Sequence, residues 1–142
     1  MKFLIGITAD LTNIKTLQPQ LGCDDTNFSY FFKMKCVDCR QVTTKDTCVR
    51  LSEKVEDYDG SVFNLTQKCV YCRKKGFLKL IPGHGRPLLL ATAESRMYTP
   101  LMMIEYRGYM EPVDFSFGPG WKAVSMTQGM YRAENRLYTR LL

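Results

Sequence analysis

Histidine is nearly missing from this chain: His84 is the only one among 142 residues. That scarcity argues against imidazole-rich metal centres and most general-base chemistry, because histidine is the side chain that ordinarily titrates near neutrality. His84 sits between Gly83 and Gly85 with no acid at a characteristic spacing, and reads as an ordinary loop residue. No run approaches the roughly 20 apolar residues that a membrane-spanning helix needs, so no such span is expected. A phosphate-cradling glycine loop and a nucleophile elbow are both absent. Glu105, Glu111 and Asp114 lie on or beside alternating segments, where surface or turn roles outweigh an acid pair. The expectation is that the chain is not an enzyme. Acids are also in deficit, 14 against 20 Lys and Arg, giving a formal charge of +6 and a sequence pI near 9.0. Such a surface attracts nucleic acid, acidic proteins or head groups without selecting among them.

What is present suits one folded unit. Hydrophobic residues make up 45% of the chain and aromatics 12%, too apolar for a disordered protein, and residues 1–142 are expected to form a single β domain. Met1 to Ala9 faintly resembles a secretory signal, but the apolar stretch is short and Asp10 ends it. A buried first strand explains it better, since Phe3, Ile5, Ile7, Ala9 and Leu11 alternate with Lys2, Gly6, Thr8, Asp10 and Thr12. A cytoplasmic location, or a nuclear one, would keep cysteines reduced. The glycosylation patterns at Asn27 and Asn64 then carry no meaning.

Period-two alternation recurs further on and predicts an all-β fold. Phe28, Tyr30, Phe32, Met34 and Cys36 share one strand face, and Phe63, Leu65, Gln67 and Cys69 another, after a turn at Asp59-Gly60. A basic turn, Arg73 to Gly76, leads into a return strand from Phe77 to Ile81 that Pro82-Gly83 ends. A loop containing Gly83, Gly85 and Pro87 precedes a strand from about Leu101 to Tyr106. Glu111 to Gly120, held between prolines, is expected as an edge-like extended piece, and Trp121 as part of the core. In the last stretch Met130, Ala133, Leu137 and Leu141 fall at helical spacing, so residues 128–142 are expected as a basic tail, either a short helix or disordered.

The strongest signal is Cys36-Val37-Asp38-Cys39, then 29 residues, then Cys69-Val70-Tyr71-Cys72. Cysteines three apart in a tight turn can aim both sulfurs at one point, and two such knuckles supply the tetrahedron that zinc prefers. Iron, redox and disulfide readings explain the double pair less well. A four-thiolate zinc centre has a formal charge of about −2, and Lys35, Arg40, Lys68, Arg73, Lys74 and Lys75 flank the knuckles, a field expected to lower the thiol pKa values. Cys23 and Cys48 have no partner at knuckle spacing and are expected to be ordinary thiols.

With these residues in hand, the chain resembles the eukaryotic CXXC-motif-containing zinc-binding proteins. Lys33-Met34-Lys35-Cys36-Val37-Asp38-Cys39 is similar to that family's first knuckle and Gln67-Lys68-Cys69-Val70-Tyr71-Cys72 to its second. Glu105 to Phe115, with Glu111-Pro112-Val113-Asp114-Phe115, is similar to a later stretch, and Asn13-Ile14 with Leu17-Gln18-Pro19 fits as well. The likeness runs over about residues 1–128. It implies two pseudo-symmetric β-rich halves and one zinc ion on Cys36, Cys39, Cys69 and Cys72. Two departures stand out: Met110 as an insertion before Glu111, and a tail after about Thr127 that is shorter and more basic than the acidic, strand-ending terminus of the family.

The leading expectation is a structural zinc in an intracellular adaptor that binds another protein. A nucleic-acid-binding zinc ribbon, motivated by the basic pI and by Tyr71 and Phe77 among the cations of residues 68–79, is the first alternative. Metal or redox handling by exchangeable thiolates is the second.

Overall fold

The computed structural model describes residues 1–116, 118–126 and 136–141. Among them lie thirteen strands and one short helix, and the chain divides into two compact units. The fold is all-β with two β-rich halves, as the alternation and the family likeness imply.

The first unit comprises residues 1–3, 26–81 and 104–119. It contains β3 (Tyr30–Cys36), β4 (Thr47–Val49), β5 (Val55–Glu56), β6 (Val62–Phe63), β7 (Leu65–Lys68), β8 (Lys75–Ile81) and β11 (Met110–Ser116). Within it the strands run β11-β3-β4, with β5 paired to β6, and β7 paired to β8. β3 has the expected alternation, with Tyr30, Phe32, Met34 and Cys36 buried and the residues between them half-buried. Their core is aromatic: Phe28 meets Tyr30 edge-on at 5.0 Å, and Phe32 meets Phe115 at 5.4 Å between ring centroids. β11 is an edge strand of its sheet. Its register against β3 shifts between Pro112 and Asp114, which fits a residue that has no N–H to give to a ladder.

Asn64 is a buried polar hub in this unit. Its amide nitrogen donates to the carbonyls of Leu51 (3.3 Å) and Glu53 (2.9 Å), while Leu80 donates its N–H to the Asn64 carbonyl oxygen at 2.7 Å. The residue that matches a glycosylation pattern is thus a cross-link between two loop carbonyls and β8. Asn64→Leu leaves the Leu80 N–H without this acceptor, and is expected to lower stability by about 2 kcal/mol, read as a shift of the urea midpoint at unchanged slope.

The second unit comprises residues 4–25, 82–103 and 120–142. It holds most of β1 (Lys2–Asp10), then β2 (Ile14–Pro19), β9 (Leu88–Leu89), α1 (Leu90–Glu94), β12 (Trp121–Ser125) and β13 (Arg136–Leu141). β10 (Thr99–Gly108) begins in this unit and ends in the first. The strand orders here are β12-β2-β9 and β13-β1-β10. Ile5, Ile7, Ile14, Leu17, Leu88, Leu101 and Met102 form the core. β1 departs from simple alternation, because Gly6 and Thr8 are buried as well. A cavity shared by Thr8, Ala93, Arg96 and Tyr98 places α1 and the segment after it on that face.

Two expectations change here. Trp121 opens β12 opposite Pro19 but is only half-buried. The tail is a strand rather than a helix over 136–141, running antiparallel to β1 with Asp10 opposite Arg136 and Ile5 opposite Leu141. Leu137 and Leu141, four apart, satisfy a period of two as well as a helical one, and the ladder offered by β1 decides between them. Residues 128–135 and Leu142, the rest of that expected tail, lie outside the described residues.

Candidate metal centre

Both knuckles belong to the first unit and are built alike. β3 delivers Cys36 and β7 leads to Cys69. In the first knuckle Arg40 donates its N–H to the Cys36 carbonyl at 2.8 Å, and the Cys36 N–H returns to Gln41 at 3.0 Å. The second repeats this pattern, Arg73 to Cys69 at 2.8 Å and Cys69 to Lys74 at 2.9 Å. Each closes on an arginine in the left-handed region, Arg40 at φ 63° and Arg73 at φ 60°.

The turn between β10 and β11 braces the two knuckles. Tyr109 accepts the Val37 N–H at 2.8 Å and donates its own to Lys75 at 3.1 Å, so one residue touches both. Gly108 is needed there: its φ is +80°, and a Cβ would lie 2.6 Å from the Lys75 oxygen. Met110, read from the sequence as an insertion before Glu111, is 1% exposed, pairs with Cys36 and abuts Gly76, where a Cβ would meet it at 2.6 Å. The sequence reading missed this brace, whose signal was a Gly-Tyr turn joining two strands. Across the surface, Lys74 forms an ion pair with Asp38 and lies 4.9 Å from the Tyr109 ring centroid.

The four sulfurs of Cys36, Cys39, Cys69 and Cys72 all lie within 4.8 Å of one another. The Cys36–Cys72 and Cys39–Cys69 pairs are each 3.5 Å apart. Zinc–sulfur bonds of about 2.3 Å in a tetrahedron require sulfurs about 3.8 Å apart. The cluster therefore fits a zinc ion with only small adjustments of side-chain torsions.

Without metal the four thiols divide into two kinds. Cys69 is lowered to about 6, chiefly by the N–H of Cys72, with Tyr71 and neighbouring sulfurs helping against burial. Cys36 is lowered in the same way, first by the N–H of Cys39. At Cys39 the N–H of Gln41 lowers the pKa, but burial and the other three sulfurs outweigh it and push the thiol up to about 12. Cys72 also ends raised: the N–H of Lys74 is overcome by burial and by Cys36 and Cys69. Directed N–H groups of the knuckle turns, rather than the flanking lysine and arginine charges of the sequence reading, thus lower Cys36 and Cys69.

The remaining sequence candidates lie outside this cluster. Cys23 belongs to the second unit and is pushed up to about 11 by burial and then by Asp24, an inert thiol. Cys48 is half-buried on β4 opposite Phe31. His84 is exposed in its loop. Glu105 pairs with Arg107 at 3.4 Å, Glu111 accepts the Tyr106 hydroxyl at 3.2 Å, and Asp114 lies opposite Lys33.

Fold and site together define an all-β protein with a four-cysteine centre suited to zinc. The model of the eukaryotic CXXC motif containing zinc binding proteins matches residues 4–135, and the chain belongs to that family. The human CXXC motif containing zinc binding protein is 29% identical over 129 residues, covering 90% of this chain and 76% of its own length. UPF0587 protein CG4646 of Drosophila melanogaster is 27% identical over 127 residues, covering 88% and 74%. The crystal structure of C1orf123 shares the fold with a TM-score of 0.81 at 22% identity, over 100% of this chain and 99% of that one. A hypothetical protein from Plasmodium falciparum aligns with a TM-score of 0.72 at 13% identity, over 99% of both chains.

Proposed function

We propose that Cys36, Cys39, Cys69 and Cys72 hold one structural zinc ion, and that the surface they shape serves as an adaptor for another protein. The observation that carries this reading is a closed set of four thiols on knuckles that also carry exposed apolar side chains. Four thiolates leave no coordination position for water, which favours a structural over a catalytic role. Around them Val37, Val70, Tyr71 and Tyr109 are all exposed, a concentration of apolar surface that suits protein contact. A reducing compartment such as the cytoplasm would keep the thiols available to the metal.

Nucleic-acid binding has less support. Four cations of the knuckle unit have acid partners, Lys74 with Asp38, Arg107 with Glu105, Lys33 with Asp46 and Arg50 with Glu53, and these carboxylates interrupt the track that a phosphate backbone would follow. Among the described residues no helix is long and apolar enough to cross a membrane.

Affinity capture from cell extract tests the adaptor role. Zinc-loaded protein is expected to retain specific partners that a Cys69→Ser variant does not. An identical set of proteins on both would sink the idea that the zinc-held shape is what partners recognise.

A further inference from the structure

Beside the cysteine cluster the first unit carries a cleft of about 240 Å³. One wall is the segment leaving the first knuckle, Gln41 to Thr47, and the other is the limb entering the second, Gln67 to Tyr71. The walls are held in place. Val42 bridges to Lys35, the Thr43 N–H donates to Met34 at 2.9 Å, and the Met34 N–H returns to the Thr43 hydroxyl at 3.0 Å. On the far wall β7 is laddered to β8, and the Thr47 hydroxyl ties the two sides together through Gln67 at 3.1 Å. The cleft is therefore built before any ligand arrives, and its two walls are continuous with the two knuckles.

Its lining joins apolar side chains with threonines, glutamines and lysines. Met110 is 1% exposed, while Val42, Val70 and Tyr71 are 43%, 81% and 67% exposed. Lys45 and Lys68 also line it, and among the described residues neither side chain has an ion pair or hydrogen bond. The acid of the cleft, Asp46, is engaged by Lys33 at 3.4 Å. Two unmatched lysines beside an apolar hollow complement a pair of carboxylates next to an aliphatic group.

We infer that this cleft binds an extended acidic peptide segment of a partner protein, one branched aliphatic side chain seated against Val42, Val70 and Met110 and carboxylates placed at Lys45 and Lys68. The inference rests on the adaptor reading and narrows it to a ligand chemistry. Two lysines on one apolar hollow suit two carboxylates, whereas a polyphosphate chain needs cations along its whole path. Since both walls spring from the knuckles, the cleft keeps its shape only while the cysteine cluster is intact.

The test uses the zinc-loaded full chain on an array of synthetic peptides, each with a central Leu, Ile or Val between Glu or Asp residues in a Gly and Ser background. Matched peptides carry Lys in place of the acids or Ser in place of the aliphatic residue, and oligouridine serves as the nucleic-acid probe. Binding is expected to the acidic aliphatic peptides over both matched sets. It should fall by about tenfold or more in Lys45→Glu with Lys68→Glu, and again in Val70→Asp. Zinc content should stay at one ion per chain in these variants, so lost binding cannot come from lost fold. A silent array, equal binding to the lysine peptides, indifference to the cleft variants, or oligouridine binding that Lys45 and Lys68 carry would each overturn the inference. A silent array beside zinc-dependent partners in affinity capture removes this cleft and leaves the adaptor reading standing; capture without such partners removes the adaptor reading itself.

Discussion

Cys69→Ser is expected to purify without zinc and to melt about 20 °C or more below the wild type, the largest effect a single side chain should have here. Cys69 is 3% exposed and its sulfur is one of the four within 4.8 Å of one another. Three thiolates and a serine hydroxyl hold zinc far more weakly than four thiolates, because the ligand that binds is the anionic sulfur. Structural zinc sites in small peptides are worth about 10–16 kcal/mol, against about 5–15 kcal/mol for the stability of a whole domain. The loss should fall on the first unit, since both knuckles, the Tyr109 brace and the aromatic core of β3 and β11 belong to it. Elemental analysis and calorimetry on tag-free protein check the two halves of the expectation. Cys48→Ser is the control and should keep one zinc per chain, because its sulfur is not part of the cluster. Stoichiometric zinc in Cys69→Ser would falsify the ligand assignment.

Acid should strip the metal along a steep curve. With zinc bound all four sulfurs are thiolates, whereas in the metal-free cradle Cys39, at about 12, and Cys72, raised, keep their protons at neutral pH. The metal-free state therefore binds more protons, and lowering the pH favours it. At least about two protons are displaced per zinc near pH 7, which makes the apparent affinity fall by about a hundredfold or more per pH unit. Below about 6 the thiol of Cys69 takes up a proton as well, and the curve should steepen. Cys69 by itself works in the same direction: a depressed pKa stabilises the folded cradle above the ordinary thiol range, and that contribution is lost as the pH falls through about 6. Competition with a chromophoric chelator across neutral and mildly acidic pH measures the slope. A flat profile would mean that the four sulfurs are not the groups surrendering protons to the metal.

Much of this was open to inspection before any coordinates. The two CxxC pairs named the centre, because cysteines three apart must turn their sulfurs to one side and a reduced chain has few other uses for two such pairs. β3 and the limb into the second knuckle were legible from alternation, since a strand with one buried face must repeat every second residue, whereas β8 was read from the turns that bound it and β10 from its place after the loop. The edge position of β11 followed from Pro112, which cannot serve a ladder on both sides. The tail misled because Leu137 and Leu141 are equally regular in a helix and in a strand, and only the open side of β1 distinguishes them. α1 was unreadable for a different reason: it is five residues long, and Leu89 before it supplies no capping side chain.

The sequence by itself determined the four cysteines that cluster, the all-β class and the family, each through short-range spacing that covalent geometry converts directly into direction. Tertiary structure alone decided that both knuckles share one unit, that Tyr109 clamps them, that Asn64 is a buried cross-link, and that Lys45 and Lys68 line one cleft. These depend on contacts between residues far apart in the chain, which backbone ladders and core packing bring together and which no local pattern encodes.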